Sequence, residues 1–455
     1  MTTLNKIRQL TNGLFLLLLL STGIAWGQSG KVLADSFGMQ CGQAQGECKN
    51  NGGITLPTVP GLLRLWDSTV DWSHLAPTST SYDFSLLDVY LNAIHADPSH
   101  PAVIYTFGYV PCWAAGQMPN CGNNSIAPNG TNIPPTDLNA QGSVFFNNFV
   151  TKLTQHCNSN NFCVKDLIKY YELWNEANAD GPHSYWIGTE TQLWDMVKPA
   201  AGIIDTNVAG AQILTPSVCD NRPGGCEGID FQTWQQIWLG FEGSYGSPTN
   251  ISDIYNFHVY LQDETPENRW ADTVELMLAA RNNPTYGWTS APWWDTETNY
   301  NGNFACNTTD YSEQDCIGQV ARWQLLHDSN SGAGNSANLS WYKWNSTIGQ
   351  NPDPAYAKAY QYLMQYMVGG SFPQPCSPNT LTPATWTCSF TEGGGTSALF
   401  VWTPSETGTL TYKVPVGYVD YRDLSGAVFA VTAGELIPIS VEPIMLEGEK
   451  PLADH

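Results

Sequence analysis

Ile168-Lys-Tyr-Tyr-Glu-Leu-Trp-Asn-Glu-Ala-Asn178 is a short β-type run that ends in a carboxylate and gives way to loop-forming residues. Such a run reads as a buried parallel strand that delivers an acid to one end of a sheet. Ala291-Pro-Trp-Trp-Asp-Thr-Glu-Thr-Asn299 has the same form, with Glu297 at its end. Two strands far apart in sequence, each ending in a glutamate, point to paired-carboxylate chemistry at one rim of a parallel sheet.

The segments between and around these two runs alternate. β-type stretches occur at Ser36–Gln40, Leu62–Asp67, Ala102–Gly108, Gln212–Val218, Asp253–Tyr260 and Asn338–Trp344. Helical spacing of apolar residues marks Ser85–Ala96, Gly142–Gln155, Thr191–Ile204, Phe231–Leu239, Ala271–Arg281, Glu313–Asp328 and Pro354–Met367. Only Cys41–Pro60, Gly/Asn-rich and short, carries little helical signal. About eight strand–helix units predict a (β/α)8 TIM barrel rather than an open doubly wound sheet. No Gly-x-Gly-x-x-Gly follows the first strand, so the signature of a dinucleotide fold is missing. From about residue 370 helical spacing stops. Ala398–Trp402, Gly408–Val414, Tyr418–Tyr421 and Leu436–Val441 read as short strands of a small C-terminal antiparallel β-sandwich. The expected organisation is therefore a leader at 1–27, an α/β barrel at 28–369 and a β-domain at 370–455, the last joined by a strand from 31–34.

The leader is a secretory signal peptide by pattern. Lys6 and Arg8 supply the basic start, Leu14–Leu20 the short apolar core, and Ala25-Trp-Gly27 the small-x-small cleavage site. A secreted, extracellular or periplasmic protein with no membrane attachment after cleavage is expected. The formal charge of −23 repels nucleic acid and anionic membranes, and 18 Trp in a chain with few charges suit the apolar faces of sugars. The twelve cysteines fall into six close pairs: Cys41–Cys48, Cys112–Cys121, Cys157–Cys163, Cys219–Cys226, Cys306–Cys316 and Cys376–Cys388. In an exported chain this pattern predicts disulfides, and without a Cys-x-x-Cys it gives no support to a metal site. Four pairs follow strands one, three, five and seven, so they are expected to close loops on the face that carries the glutamates. Loops this short are worth about 2.5–3 kcal/mol each in the chain-entropy model.

The segments Pro57–Asp67 (with Arg64-Leu-Trp-Asp67), Tyr171-Glu-Leu-Trp-Asn-Glu-Ala-Asn178, Phe257-His-Val-Tyr260 and Trp293-Trp-Asp-Thr-Glu297 together resemble the retaining glycoside hydrolases of clan A. The likeness is closest to the family 39-like branch of β-xylosidases and polysaccharide endo-hydrolases, and covers about residues 36–345. It implies Glu176 as acid/base, Glu297 as nucleophile, and Asn175 on the sugar 2-OH. It further implies Arg64 and Tyr260 as hydrogen-bond donors to the nucleophile, His258 lining the site, and Trp344 stacking under the sugar. Glu176-Ala-Asn178 replaces the frequent Glu-Pro-Asn without altering the carboxylate. The chemistry needs no metal or organic cofactor. Glu172, four residues before Glu176 on the same strand face, reads as a buried hydrogen-bonding residue. Asp67 and Asp295 stand as weaker subsite candidates. The expected partner is a β-linked polysaccharide or oligosaccharide. The rival readings are a non-catalytic carbohydrate-binding protein on the same scaffold and an inverting glycosidase. An esterase would need a Gly-x-Ser-x-Gly, which does not occur.

Overall fold

A computed structural model describes residues 30–41, 49–50, 53–54, 60–118, 129–180, 184–220, 228–261, 264–299, 313–331, 338–342, 354–379, 385–404 and 410–449. Eight parallel strands form its first sheet: β1 (Phe37–Gln40), β2 (Leu62–Leu65), β3 (Ala102–Thr106), β4 (Tyr170–Glu172), β5 (Gln212–Leu214), β6 (Tyr255–His258), β7 (Trp293–Thr298) and β8 (Leu339–Trp341). Each strand pairs with the next in sequence, and β8 returns to β1. A parallel bridge between Leu214 and Ile254 closes the ring between β5 and β6. The chain is a TIM barrel.

Strand parity sorts the side chains into two environments. Leu63, Leu65, Val103, Tyr105, Tyr171, Ile213, Tyr255, Phe257 and Trp293 point outward into the main core. They meet the buried faces of α1 (Ser85–Ala96), α2 (Val144–Gln155), α3 (Glu190–Asn207), α4 (Phe231–Glu242), α5 (Glu275–Asn282), α6 (Glu313–Asn330) and α7 (Pro354–Met367). Leu62, Ile104, Leu214, Ile254 and Trp294 point inward and plug the barrel, with the Tyr170 ring 4.7 Å from Trp294. One layer above this plug the inward positions become polar: Gln40, Arg64, Thr106, Glu172, Asn256, His258 and Thr296 are all buried. The change from oil to polar groups along one axis defines the catalytic-type end, where the strands finish.

Local sequence explains the helix limits. Ser143 caps α2 by accepting from Phe146 N–H, and Thr189 with Gln192 forms a capping box on α3. The helical signal at Ala271–Arg281 is not one α-helix. A π turn, Trp270–Val274, precedes α5 and follows the short helix Pro266–Arg269. The expected weak first helix spans residues that are only partly described, and those contain a two-residue hairpin, Lys49–Asn50 with Gly53–Ile54.

After α7 every described strand is antiparallel. β9 (Trp386–Thr391), β10 (Ser397–Trp402), β12 (Tyr418–Arg422), β13 (Val428–Ala430) and β15 (Ile444–Gly448) lie in one sheet, and β11 (Leu410–Lys413) pairs with β14 (Leu436–Ile439) in a second. Leu399, Val401, Tyr412, Val414, Ile437, Ile439 and Leu446 fill the space between the sheets, which makes a sandwich. The opposite face of the larger sheet, with Ala398, Phe400, Trp402 and Met445, joins the barrel's core. This is why β10 is an unbroken apolar run: it is buried on both sides. Trp402 Nε1 donates to Glu267 at 2.6 Å, and Arg322 of α6 donates to the same carboxylate at 3.1 Å. The N-terminal stretch reaches the sandwich through isolated antiparallel bridges, Lys31 to Ser371 and Ser371 to Thr391 of β9, and Ala34–Ser36 turns as a 3-10 helix.

Candidate active site

Arg64 is the centre of the polar layer. It has no exposed surface and donates all five of its N–H groups. Nε and Nη2 grip Glu172 at 2.7 and 2.9 Å; Nη2 also reaches Asn175 Oδ1 at 2.6 Å. Nη1 donates to Glu297 Oε2 at 2.5 Å and to Gln40 Oε1 at 3.1 Å. One guanidinium therefore ties the ends of β1, β2, β4 and β7 together. Glu172 accepts a third bond from Thr106 Oγ1 at 2.8 Å, and is a buried brace rather than an open acid.

Glu297 stands at a register shift in β7, between Asp295 and Thr298. Such a bulge re-aims a side chain at a strand end. Its Oε1 accepts from the Tyr260 hydroxyl and its Oε2 from Arg64. Burial raises its carboxyl, while Arg64 and Tyr260 act against that rise. Glu176 is reached differently. The β4 ladder ends at Glu172, yet Asn175 N–H still bonds Phe107 O and Ala177 N–H bonds Ser217 O. Between them Glu176 takes a left-handed backbone, φ +39°, with its N–H on Ser217 Oγ at 2.9 Å. A non-glycine residue in this region is strained, and here the strain turns the carboxyl into the barrel mouth. Asn178 locks the turn by bonding Cys219 O and Cys219 N–H, each at 2.9 Å.

His258 sits behind Glu176, with Nδ1 3.0 Å from Glu176 Oε1 and Nε2 3.1 Å from Thr296 Oγ1. Thr296 Oγ1 also lies 2.7 Å from the Asn256 side-chain amide. Burial, then Arg64, pushes His258 well below its ordinary range and keeps it neutral. Neutral His258 shares one hydrogen bond with Glu176 through Nδ1. Burial and then the Glu297 charge raise Glu176 well above the usual carboxylate range. The surroundings of the two glutamates are therefore unequal, since Glu297 has two strong donors on it, and two-carboxylate catalysis requires such a difference.

One oxygen of Glu176, one nitrogen of His258 and one oxygen of Glu297 lie within 4.8 Å of one another. Their donor types would suit a divalent cation. Both Glu297 oxygens are already engaged, however, and the Arg64 charge beside them opposes a second cation.

Of the residues singled out from sequence, Arg64, Asn175, Glu176, His258, Tyr260 and Glu297 converge here. Trp344 lies outside the described residues. Its neighbour Trp341 is fully buried in the outer core and offers no face to a ligand. Asp295 is not at the cleft: it points outward, accepts from Val259 N–H, and faces His327 behind the strand at 3.3 Å. Asp67 is at the cleft, with Oδ2 accepting from Tyr342 at 2.8 Å. Sequence reading passed over Gln40, Thr106, Asn256, Thr296 and Ser217. The inward parity of Leu62 and Arg64, carried across to neighbouring strands, would have found the four on β1, β3, β6 and β7.

The disulfides Cys157–Cys163 and Cys376–Cys388 are formed. Cys41, Cys112, Cys219 and Cys316 are also disulfide-bonded. Their expected partners Cys48, Cys121, Cys226 and Cys306 lie outside the described residues. Cys41, Cys112 and Cys219 follow the C-terminal ends of β1, β3 and β5, on the glutamate side. Cys316 lies within α6 rather than in the loop after β7.

Solved structures share this fold. A glucosidase from Croceicoccus marinus superposes with a TM-score of 0.57 at 12% identity, over 93% of this chain and 97% of its own. A glycoside hydrolase family 30 subfamily 8 xylanase from Clostridium acetobutylicum gives 0.56 at 13% identity, with the same coverage. The catalytic domain of a family 30 xylanase from Talaromyces cellulolyticus gives 0.54 at 12%, over 93% and 98%. No protein-family model and no curated protein matches the sequence.

Proposed function

We propose that this protein is a retaining glycoside hydrolase of clan A. Glu297 is the nucleophile and Glu176 the acid/base in a double displacement on a β-linked polysaccharide or oligosaccharide. The observation that carries the proposal is the pair of carboxyl groups with oxygens within 4.8 Å and unequal surroundings. Retaining enzymes hold the two groups about 5–5.5 Å apart, and inverting ones about 6.5–9.5 Å, to admit a water. In the first step Glu297 Oε attacks the anomeric carbon while Glu176 gives its proton to the departing oxygen. In the second, Glu176 takes a proton from water, which displaces Glu297 and restores the anomeric configuration. Arg64 and Tyr260 keep the nucleophile ionised and oriented, and Asn175, fixed through its oxygen by Arg64, offers its NH2 to the sugar 2-OH.

The likeness to structures described as a glucosidase and xylanases supports this reading at the level of the clan; placement in the family 39-like branch rests on the motifs. The disulfide pattern and the leader-like start support action outside the cell. The test is to incubate wild type, Glu176→Gln and Glu297→Gln with a panel of neutral β-linked polysaccharides and to separate the products. Cleavage by wild type alone supports the assignment. Binding without cleavage by wild type across the panel favours a carbohydrate-binding protein instead.

A further inference from the structure

Tyr260 donates to Glu297, yet it stands beyond His258, the last paired residue of β6, so no strand ladder sets its backbone. Bonds from other segments hold it instead. The peptide before it is held at Val259 O, which accepts from Thr298 Oγ1 of β7 at 2.6 Å. The peptide after it is held on both edges. Tyr260 O accepts from Arg269 Nε at 2.6 Å, and Leu261 N–H donates to Asn299 O at 2.8 Å. Because peptides are planar, pinning the two that flank Tyr260 fixes its φ and ψ, and with them the directions open to its ring. Of these three bonds only the one from Arg269 has a charged donor, and that donor comes from a separate element, the short helix Pro266–Arg269.

Arg269 is 1% exposed, and its Nη2 pairs with Asp220, which is 3% exposed. Asp220 follows the disulfide-bonded Cys219, which makes a parallel bridge to His258 and donates its N–H to Asn178. The helix that carries Arg269 is anchored as well. Thr265 caps it, Pro266 occupies its first turn, and Glu267 accepts from Trp402 and Arg322. The planar guanidinium therefore spans two fixed points, which the single nitrogen of a lysine does not reproduce. A buried ion pair is weak evidence for stability; what this one does is aim a donor at Tyr260 O. We propose that Arg269, oriented by Asp220, is a positioning residue for the nucleophile. By holding the Tyr260 carbonyl it sets the Tyr260 hydroxyl on Glu297. The assignment rests on the glycosidase reading and extends it to a pair of residues outside the polar layer.

The test replaces the pair without changing net charge, Arg269→Met together with Asp220→Asn, in wild type and in Tyr260→Phe. The four proteins are assayed across pH on the 4-nitrophenyl glycoside of the sugar that wild type releases from a polysaccharide. In wild type the paired replacement should lower kcat about 10- to 100-fold with KM little changed, the range of a hydrogen bond to a charged group. It should also move the acid limb of kcat/KM to higher pH, because Tyr260 donation opposes the rise that burial imposes on Glu297. Arg64, Glu172, Glu176 and Asp67 also act on Glu297 and stay in place, and Asp295, which feels both Asp220 and Glu297, is unchanged. In Tyr260→Phe the same replacement should cost no more than about 2-fold, since the hydroxyl it positions is gone. Equal losses in the two backgrounds, or a wild-type acid limb after the replacement, would overturn the proposal and leave the glycosidase reading standing. If wild type cleaves nothing, that reading falls, and the role of Arg269 with it. Should the paired replacement not fold, Arg269→Lys serves, because it keeps a charge opposite Asp220 and loses the fork; wild-type kinetics in that variant would likewise overturn the proposal.

Discussion

Replacing Arg64 with methionine removes the cation while keeping most of the side-chain volume. The five bonds it makes reach Glu172, Glu297, Asn175 and Gln40, all inside the barrel. Glu172 and Glu297 are then left buried without a positive partner. Removing one member of a buried charge network costs about 3–5 kcal/mol. With an unfolding entropy near 2.1 cal/mol/K per residue and roughly 400 folded residues, that corresponds to a fall in Tm of about 4–6 °C. The sign of its pH dependence follows from Glu297, which burial already raises and which loses its main opposing charge in the variant. A carboxyl with a raised folded-state pKa binds more protons folded than unfolded, so its cost is greatest above that pKa and fades as pH falls toward the unfolded value. Calorimetry at pH 7.5 and pH 5 should therefore show the larger Tm loss at pH 7.5. An R64M protein that melts with wild type at pH 7.5, or whose deficit does not shrink at pH 5, would refute the role given to this residue.

Three other outcomes follow from the same geometry. Glu176→Gln should lose about 10²–10⁴-fold in kcat on substrates with poor leaving groups and far less with 4-nitrophenyl leaving groups, and wild-type kcat/KM should fall as pH rises through the raised Glu176 pKa; stopped assays across pH read both. Asp328, buried near Asp35, is pushed up to about 7. Its contribution to stability is complete below about pH 4 and lost as pH rises through about 7, so Asp328→Asn should flatten the Tm–pH curve between those values. Glu267→Ala should strip Trp402 and Arg322 of their shared acceptor, cost about 2–5 kcal/mol, and separate sandwich from barrel melting in a calorimetric scan.

The barrel was readable because its strands are apolar runs at regular spacing and its helices carry clean 3.6-residue faces. The glutamates were readable because each closes such a run. What escaped the sequence was geometry that needs two chain segments at once. Nothing in Trp293–Thr298 announces the bulge that turns Glu297, or in Trp174-Asn-Glu176 the left-handed residue. Asp295 looked like a strand-end acid until parity placed it behind the sheet with His327. In the sandwich, the central strand β15 went unread because Glu447, a charge, sits in it; there the carboxylate is buried against Arg422 at 2.6 Å. The π turn at Trp270–Val274 is invisible to a periodicity count, since it inserts into a helix that otherwise continues.

The central claim is that Glu297 attacks carbon while Glu176 moves the proton. Anomer-resolved NMR of the first product released from a cleaved neutral polysaccharide tests it most directly. Retention of configuration at the new reducing end, abolished in Glu297→Gln, is the predicted result. Inversion at that carbon, or retention that survives loss of Glu297, would contradict it.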